Sequence, residues 1–420
     1  MLEYASYTLA LFSLAMYVVL DGYDLGVGML SLTARPERRR EYSEIVATAW
    51  DANESWIILA GVVLWAGLPG AYAVVLPGVY LPLIGMLVAI ILRGLGLEMQ
   101  SAAGGYRRGW ALLFGGASFA ATVCQGLVLG AVLTGPHQRN GAFQGGAFDW
   151  LSGYGVLCAL GLVAVYLLAG AAWLQDKTEG WSRSDARRTG RSLLVVTAVM
   201  AVVLGLLLPS ADPQPLQMDQ PVRAVLFWLT VVAAVVAGAI AWYGFGRRPD
   251  WLPFAAVATM TACGLLGLAV VSVPVVVPPG LTVHQVASPY SSQLFLVLGV
   301  GLCIPFVLAY NVYAWRSFRG KYTDPVERPI PPLHARTHPL AVSPAPSGTL
   351  RTIVRRTLLV VLGVLATALS QDVFGGVAAW IGPVGVTVLS CAALAAWIMG
   401  DRRDRRAGYF HADIEAETPS

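Results

Sequence analysis

The sequence predicts an all-α polytopic membrane protein, on three observations. Hydrophobic residues make up 56% and charged residues 12% of the 420 positions, against roughly 25% charged in an ordinary soluble domain. The apolar stretches run about 18 to 28 residues, enough at about 1.5 Å per residue to cross a hydrocarbon core of about 30 Å. Runs such as Leu193 to Leu208 and Ala255 to Val273 are apolar on every face, unlike the alternating segments of about ten residues that build a membrane barrel.

Taken in order, eleven spans fall near residues 5–30, 54–75, 78–98, 110–133, 154–174, 192–209, 222–245, 252–274, 291–315, 355–371 and 374–399. If the odd-numbered gaps face the cytoplasm, they hold Arg35 and Arg38 to Arg40, then Arg107 and Arg108, then Lys177, Arg183, Arg187, Arg188 and Arg191, then Arg247 and Arg248. The next such gap runs from Arg316 to Arg356, and the tail adds Arg402, Arg403, Arg405 and Arg406. Of the 28 basic residues only Arg93, Arg139 and Arg223 fall elsewhere, which is the positive-inside bias and puts the N-terminus outside and the C-terminus in the cytoplasm. Residues 1 to 4 carry no basic n-region, so the first helix is expected to be retained rather than cleaved. The net charge of +4 is spread over several loops instead of one patch with interleaved aromatics, and no nucleic-acid partner is expected.

An ionisable residue inside a span costs at least about 2.5 kcal/mol to insert, which makes it a functional candidate. The first span holds Asp21 and Asp24 in Leu20-Asp21-Gly22-Tyr23-Asp24-Leu25-Gly26-Val27-Gly28, and spacing i, i+3 puts both on one helix face. The glycines at 22, 26 and 28 favour close helix approach and a packed setting; hydration at the interface is the alternative. The second span opens on Trp50-Asp51-Ala52-Asn53-Glu54-Ser55-Trp56. Asp51 and Glu54 there read either as a capping box between interfacial Trp50 and Trp56, or as a water-filled access for protons lined by neighbouring carboxylates. Asn53 and the two tryptophans are candidates for packing or an interface. The third span closes on Leu92-Arg93-Gly94-Leu95-Gly96-Leu97-Glu98. Counted from Gly78, Arg93 lies about 22 Å into the core, where it either snorkels to the cytoplasm or neutralises Asp24 or Asp51 in the same half.

The remaining spans carry almost no charge. Composition changes at Lys321, after which Tyr322 to Gly348 supplies seven prolines, an extended linker. The organisation is then a nine-span unit over 1–320, a linker over 321–350, a transmembrane pair over 351–400 that turns at Asp372 to Gly376, and a polar tail over 401–420. Cysteines 124, 158, 263, 303 and 391 sit in apolar spans without CxxC spacing and read as small core hydrophobes, with no zinc site or disulfide framework. All five histidines, 137, 284, 334, 338 and 411, lie in loops, linker or tail, so the spans offer no histidine as an axial haem ligand. Walker A, nucleophile-elbow and HExxH patterns are missing from the sequence.

The three charged motifs, in this order and spacing, resemble subunit II of cytochrome bd-type quinol oxidases. Pro274, Leu281-Thr282, Ala287-Ser288, Ser291-Ser292, Ile304-Pro305, Leu308-Ala309-Tyr310 and Phe318-Arg319-Gly320-Lys321 are similar to the family's last shared stretch. The likeness covers about residues 1 to 321 and departs at Ala52, where the family usually has glycine, and at Tyr23, where it has phenylalanine. It implies two four-helix bundles plus a peripheral helix. It also implies a heterodimer with a subunit I that carries two b-type haems and one d-type haem, oxidises quinol and reduces dioxygen to water, while subunit II carries no haem. Asp24, Asp51 and Arg93 would then match positions linked to proton delivery or to the haem environment, with Glu54, Glu98 and Asp21 as further candidates. The transmembrane pair lies beyond the likeness and would contact a small accessory subunit or lipid only. An ion-coupled secondary transporter or channel subunit is the alternative, because intramembrane Asp and Arg on glycine-broken helices also suit ion coupling.

Overall fold

The structure, a computed structural model, describes residues 2–102, 108–139, 141–211, 220–247, 249–317 and 320–322. The expected helix pair over 351–400, the tail over 401–420 and the linker beyond Tyr322 lie outside these residues.

Helix α1 (Leu2–Thr33) is followed by the short α2 (Pro36–Val46), α3 (Trp50–Gly67), α4 (Pro69–Ala102) and α5 (Arg108–Thr134). A two-residue hairpin, β1 (Gln138–Arg139) and β2 (Ala142–Phe143), leads to α6 (Gly153–Lys177), α7 (Gly180–Ala211), α8 (Pro221–Gly244) and α9 (Leu252–Ser272). A second small antiparallel pair, β3 (Val275–Val277) and β4 (Leu281–Thr282), and the single turn α10 (Val283–Val286) precede α11 (Tyr290–Ser317). Eight of these helices are long and apolar enough to cross a membrane. The ninth helix at an expected span, α3, has 18 residues and begins on the polar box, which leaves it about 27 Å long.

The break between the second and third spans differs from the expectation of residues 76–77. The chain turns at Leu68, whose backbone (φ −131°, ψ 56°) ends α3, because the ring of Pro69 excludes the helical conformation from the residue before it. Pro77, read as that break, instead lies inside α4, which bends at Val79 (φ −124°, ψ 16°). A proline lacking an N–H is tolerated there as a kink.

α1 packs against α3, α5, α6, α9 and α11, and α6 also packs against α5, α7 and α9. Two features of α1 bring it so close to α6. A Cβ on Gly26 would lie 1.8 Å from the Tyr166 carbonyl oxygen, and one on Gly170 would lie 2.5 Å from the Gly26 carbonyl carbon; only glycine at both positions allows that backbone contact. Beside it, Tyr23 stacks on Trp173 at 4.3 Å between centroids, with Phe254 and Trp315 closing an aromatic core shared by α1, α6, α9 and α11. Of the described cysteines, Cys158 is buried, while Cys303 is exposed on α11 and is not a core residue.

The two ends of the helices are separately tied. At one end Ser6 meets Gln293, whose amide donates to the Gly67 carbonyl at 2.7 Å, and His284 pairs with Glu3. At the other end Arg38 pairs with Asp185, and Arg183 and Lys321 share Asp250. Lys321 also donates to the Gln175 and Thr178 carbonyls at 3.1 and 3.0 Å, and the Tyr322 hydroxyl donates to Glu44 at 2.7 Å. A cation on the last carbonyls of α6 complements that helix's dipole. Lys321 and Tyr322 therefore belong to the helical unit, not to the linker that was expected to start at 321. The segments that meet at this second end are the basic ones.

Candidate functional site

The intramembrane charges of three helices meet within the half of the bundle nearest the basic end. Asp21 and Asp24 come from one face of α1, Asn53 and Glu54 from the first turns of α3, and Arg93 from α4. Asp21, Asp24 and Asn53 are 0% exposed and Arg93 is 1% exposed. Arg93 Nη1 donates to Asp21 Oδ1 at 2.5 Å and Nη2 to Glu54 Oε2 at 2.7 Å. Splitting the guanidinium between two carboxylates on different helices fixes α4 against both α1 and α3. Asn53 Nδ2 donates to Asp24 Oδ2 at 2.7 Å and to the Tyr23 hydroxyl at 2.8 Å. The guanidinium also lies 5.7 Å from the ring of Trp50, whose edge fills the space left by the missing side chain of Gly94.

Glu54, with its side chain 21% exposed, is the wet end of this network, and Asp24 is a dry end. Asp24 Oδ1 and Asn53 Oδ1 are buried without a protein hydrogen-bond partner among the described residues, so the cluster retains acceptor capacity. One guanidinium faces three carboxyl groups. Carboxylates left unmatched by a cation are expensive in a dry interior, and an excess of acids gives the cluster the means to take up and release a proton. One helical turn from Asp21 on α1, the Tyr17 hydroxyl accepts from Gln125 Nε2 at 2.6 Å, and the Tyr166 hydroxyl donates to Gln125 Oε1 at 2.9 Å. This polar extension was not singled out in the sequence, although Gln125, an amide in an otherwise apolar span, was its visible signal.

The sequence candidates divide accordingly. Asp21, Asp24, Asn53, Glu54 and Arg93 are brought together, with Trp50 beside them. Asp51 and Glu98 are exposed on this chain and stand outside the network. Trp56 is buried one turn further along α3, edge-on to Phe12 at 5.7 Å, instead of anchoring an interface. Arg93 pairs with Asp21 and Glu54, not with Asp24 or Asp51 as expected: its long side chain reaches Asp21 on α1 and Glu54 on α3, while Asp24 takes the amide of Asn53 and Asp51 is exposed. The capping-box alternative also gives way: α3 starts at Trp50 with Ala49 as its N-cap and no side-chain cap, and Glu54 is committed to Arg93.

Among the described residues no histidine lies on a helix long enough to cross a membrane, so these helices offer no histidine as an axial haem ligand. The two described histidines lie between membrane helices, His137 just before β1 and His284 in α10, and no group of three or more His, Cys, Asp or Glu that could hold a metal ion occurs among the described residues.

A family model described as cytochrome bd terminal oxidase subunit II matches residues 2–318. The chain is 28% identical over 362 residues to the probable cytochrome oxidase subunit 2 of Haemophilus influenzae, covering 76% of this chain and 95% of that protein. It is 30% identical over 200 residues to the cytochrome bd-I ubiquinol oxidase subunit 2 of Escherichia coli, covering 45% of this chain and 52% of that one. It is 24% identical over 324 residues to the Bacillus subtilis cytochrome bd ubiquinol oxidase subunit 2, covering 73% and 92%. Among solved structures, the bd oxidase of Geobacillus thermodenitrificans shares the fold at a TM-score of 0.62 and 16% identity, over 76% of this chain and 98% of that one. With one family spanning the described helices almost end to end, the chain belongs to the cytochrome bd terminal oxidase subunit II family.

Proposed function

We propose that this chain is the haem-free subunit of a bd-type quinol oxidase, an integral protein of a bacterial membrane that pairs with a haem-bearing subunit I and brings protons to it. In such an oxidase the haems of the partner, two of b type and one of d type, carry electrons from quinol to dioxygen, whose reduction to water consumes protons. The observation that carries the reading is the buried network from half-wet Glu54 through Arg93 to Asp21, with Asp24 and Asn53 beside it. Glu54 takes up the proton at the wet end, Arg93 holds Glu54 and Asp21 in register, and Asn53 orients the Asp24 carboxyl. Family membership favours this reading over an ion-coupled transporter or channel.

The sidedness belongs to the same proposal. The basic segments around α2, the α6–α7 turn, the α8–α9 loop and the end of α11 meet one another, which supports a cytoplasmic face there and an N-terminus outside. Two four-helix bundles with a peripheral helix, the transmembrane pair over 351–400 and its contact with a small accessory subunit or lipid are proposed on the same footing. The test is Glu54→Gln in the purified complex. Quinol-driven oxygen uptake should fall severalfold while the d-type absorbance stays intact; unchanged uptake with intact haem would remove Glu54 from proton delivery. Made alone, the chain should show no haem absorbance, and a haem signal would overturn the division of labour.

A further inference from the structure

At the basic end, two arginines on α7 and one just past the end of α8 are set differently from their neighbours. Arg38 and Arg183 each hold a carboxylate, Asp185 and Asp250 respectively. Arg188, Arg191 and Arg247 are exposed, and none of them faces a carboxylate among the described residues. Two of them are instead laid over aromatic rings. The Arg191 guanidinium lies 5.5 Å from the centroid of Trp242, and that of Arg247 lies 4.6 Å from Tyr243 while donating to its hydroxyl at 2.9 Å.

Arg191 reaches across to the segment that carries Arg247. Arg191 Nη2 occupies the space a Cβ would take on Gly246, the residue next to Arg247, and Arg188 precedes Arg191 by one turn on the same side of α7. Stacking uses the faces of the guanidinium groups, and apart from the Arg247 N–H given to Tyr243 it leaves N–H edges for the fork geometry that suits a phosphodiester. Three like charges gathered without an acid repel one another, and an anion relieves that repulsion. Trp242 and Tyr243 are 48% and 52% exposed, amphipathic rings at the level where headgroups meet hydrocarbon. Deeper in the membrane the same helices expose Val195, Val199 and Val202 on α7 and Val235, Val236 and Ile240 on α8. A soluble phosphate would use the arginines and leave these apolar flanks unexplained; a lipid uses both.

We propose that the ends of α7 and α8 bind an anionic glycerophospholipid, with its phosphodiester held between Arg191 and Arg247, Arg188 alongside, and its acyl chains on the exposed valines. Basic pockets between membrane helices on the cytoplasmic side favour such headgroups at about 1 kcal/mol per Lys or Arg, so removing two arginines should weaken binding roughly thirty-fold.

The experiment compares the purified native complex with its Arg191→Gln/Arg247→Gln and Arg247→Gln variants. Each is checked for an intact d-type spectrum, depleted of lipid in detergent, and analysed for retained phospholipid by native mass spectrometry. Mixed micelles of phosphatidylglycerol, micelles of phosphatidylcholine, and inorganic phosphate are then added back separately, with the thermal midpoint as readout. The native complex should keep an anionic phospholipid that the double variant loses, and phosphatidylglycerol alone should raise the midpoint of the native complex but not of the variant. Arg247→Gln, a change at an exposed side chain, should fall between the two. Equal lipid retention in all three, or a rise produced as well by phosphatidylcholine or inorganic phosphate, would overturn the proposal.

Discussion

Replacing Arg93 by leucine removes the one guanidinium that ties α4 to both α1 and α3. The consequence can be sized from the two contacts. Asp21, fully buried, loses its ion-pair partner at 2.5 Å, and stranding one member of a buried pair costs about 3–5 kcal/mol. Glu54 keeps 21% of its side chain exposed, so its share is discounted toward the 0–1 kcal/mol of a solvated pair. The expected loss is therefore about 3–5 kcal/mol, nearly all of it through Asp21. The assay is a double-mutant cycle with Asp21→Asn, read by denaturant unfolding of the purified complex. Arg93→Leu alone should be strongly destabilised, whereas adding Asp21→Asn should recover about 1–3 kcal/mol, since groups in direct contact couple by that order. A loss for Arg93→Leu within about 0.5 kcal/mol of zero, as for an ordinary surface change, or strict additivity of the two substitutions, would refute the reasoning.

Two further outcomes follow from the packing and from the basic face. Gly26→Ala places a methyl group where the Tyr166 carbonyl oxygen stands; overpacking of this kind costs about 1–3 kcal/mol, and a lowered thermal midpoint with reduced yield of assembled complex should report it. Asp250 resists deprotonation through partial burial, but hydrogen bonds and charge from Arg183 and Lys321 outweigh that and hold its carboxyl below the usual carboxylate range. A lowered folded value means that its stabilisation is full above about pH 4, the ordinary Asp value, and is lost as pH falls through the lower folded one. Asp250→Asn should lower the midpoint at neutral pH and flatten its acid limb. An acid limb identical to that of the native complex would contradict this.

Much of the fold is legible in the sequence because a membrane demands continuous apolar helices, and each span expected between residues 5 and 315 lies on a described helix. The exception is instructive. Hydropathy runs unbroken from Trp56 through Val75, so the Leu68-Pro69 boundary was visible only as backbone chemistry, and the stronger-looking Pro77-Gly78 signal turned out to be a kink. The site was legible as a set and not as pairs. Burial cost picks out Asp21, Asp24, Glu54 and Arg93 on any membrane helix, but choosing Asp21 over Asp24 as the partner of Arg93 depends on what its side chain reaches once the helices are assembled, a tertiary fact. The Tyr17–Gln125–Tyr166 extension and the Tyr23–Trp173–Phe254–Trp315 core are not legible in the sequence because hydroxyl-bearing and aromatic residues are common in apolar spans and reveal their partners only when the helices are assembled.

The role of the buried acids is tested most directly at Asp24, which has an amide and no cation as its hydrogen-bond partner. Asp24→Asn keeps the shape, and its amide can turn an oxygen toward Asn53, yet it removes the exchangeable proton. Proton uptake can be followed with a pH-indicating dye as the fully reduced complex reacts with dioxygen. In Asp24→Asn it should be markedly slower than in the native complex, at equal haem content. The same uptake rate in both, with haem content preserved, would show that protons reach the partner subunit without this cluster.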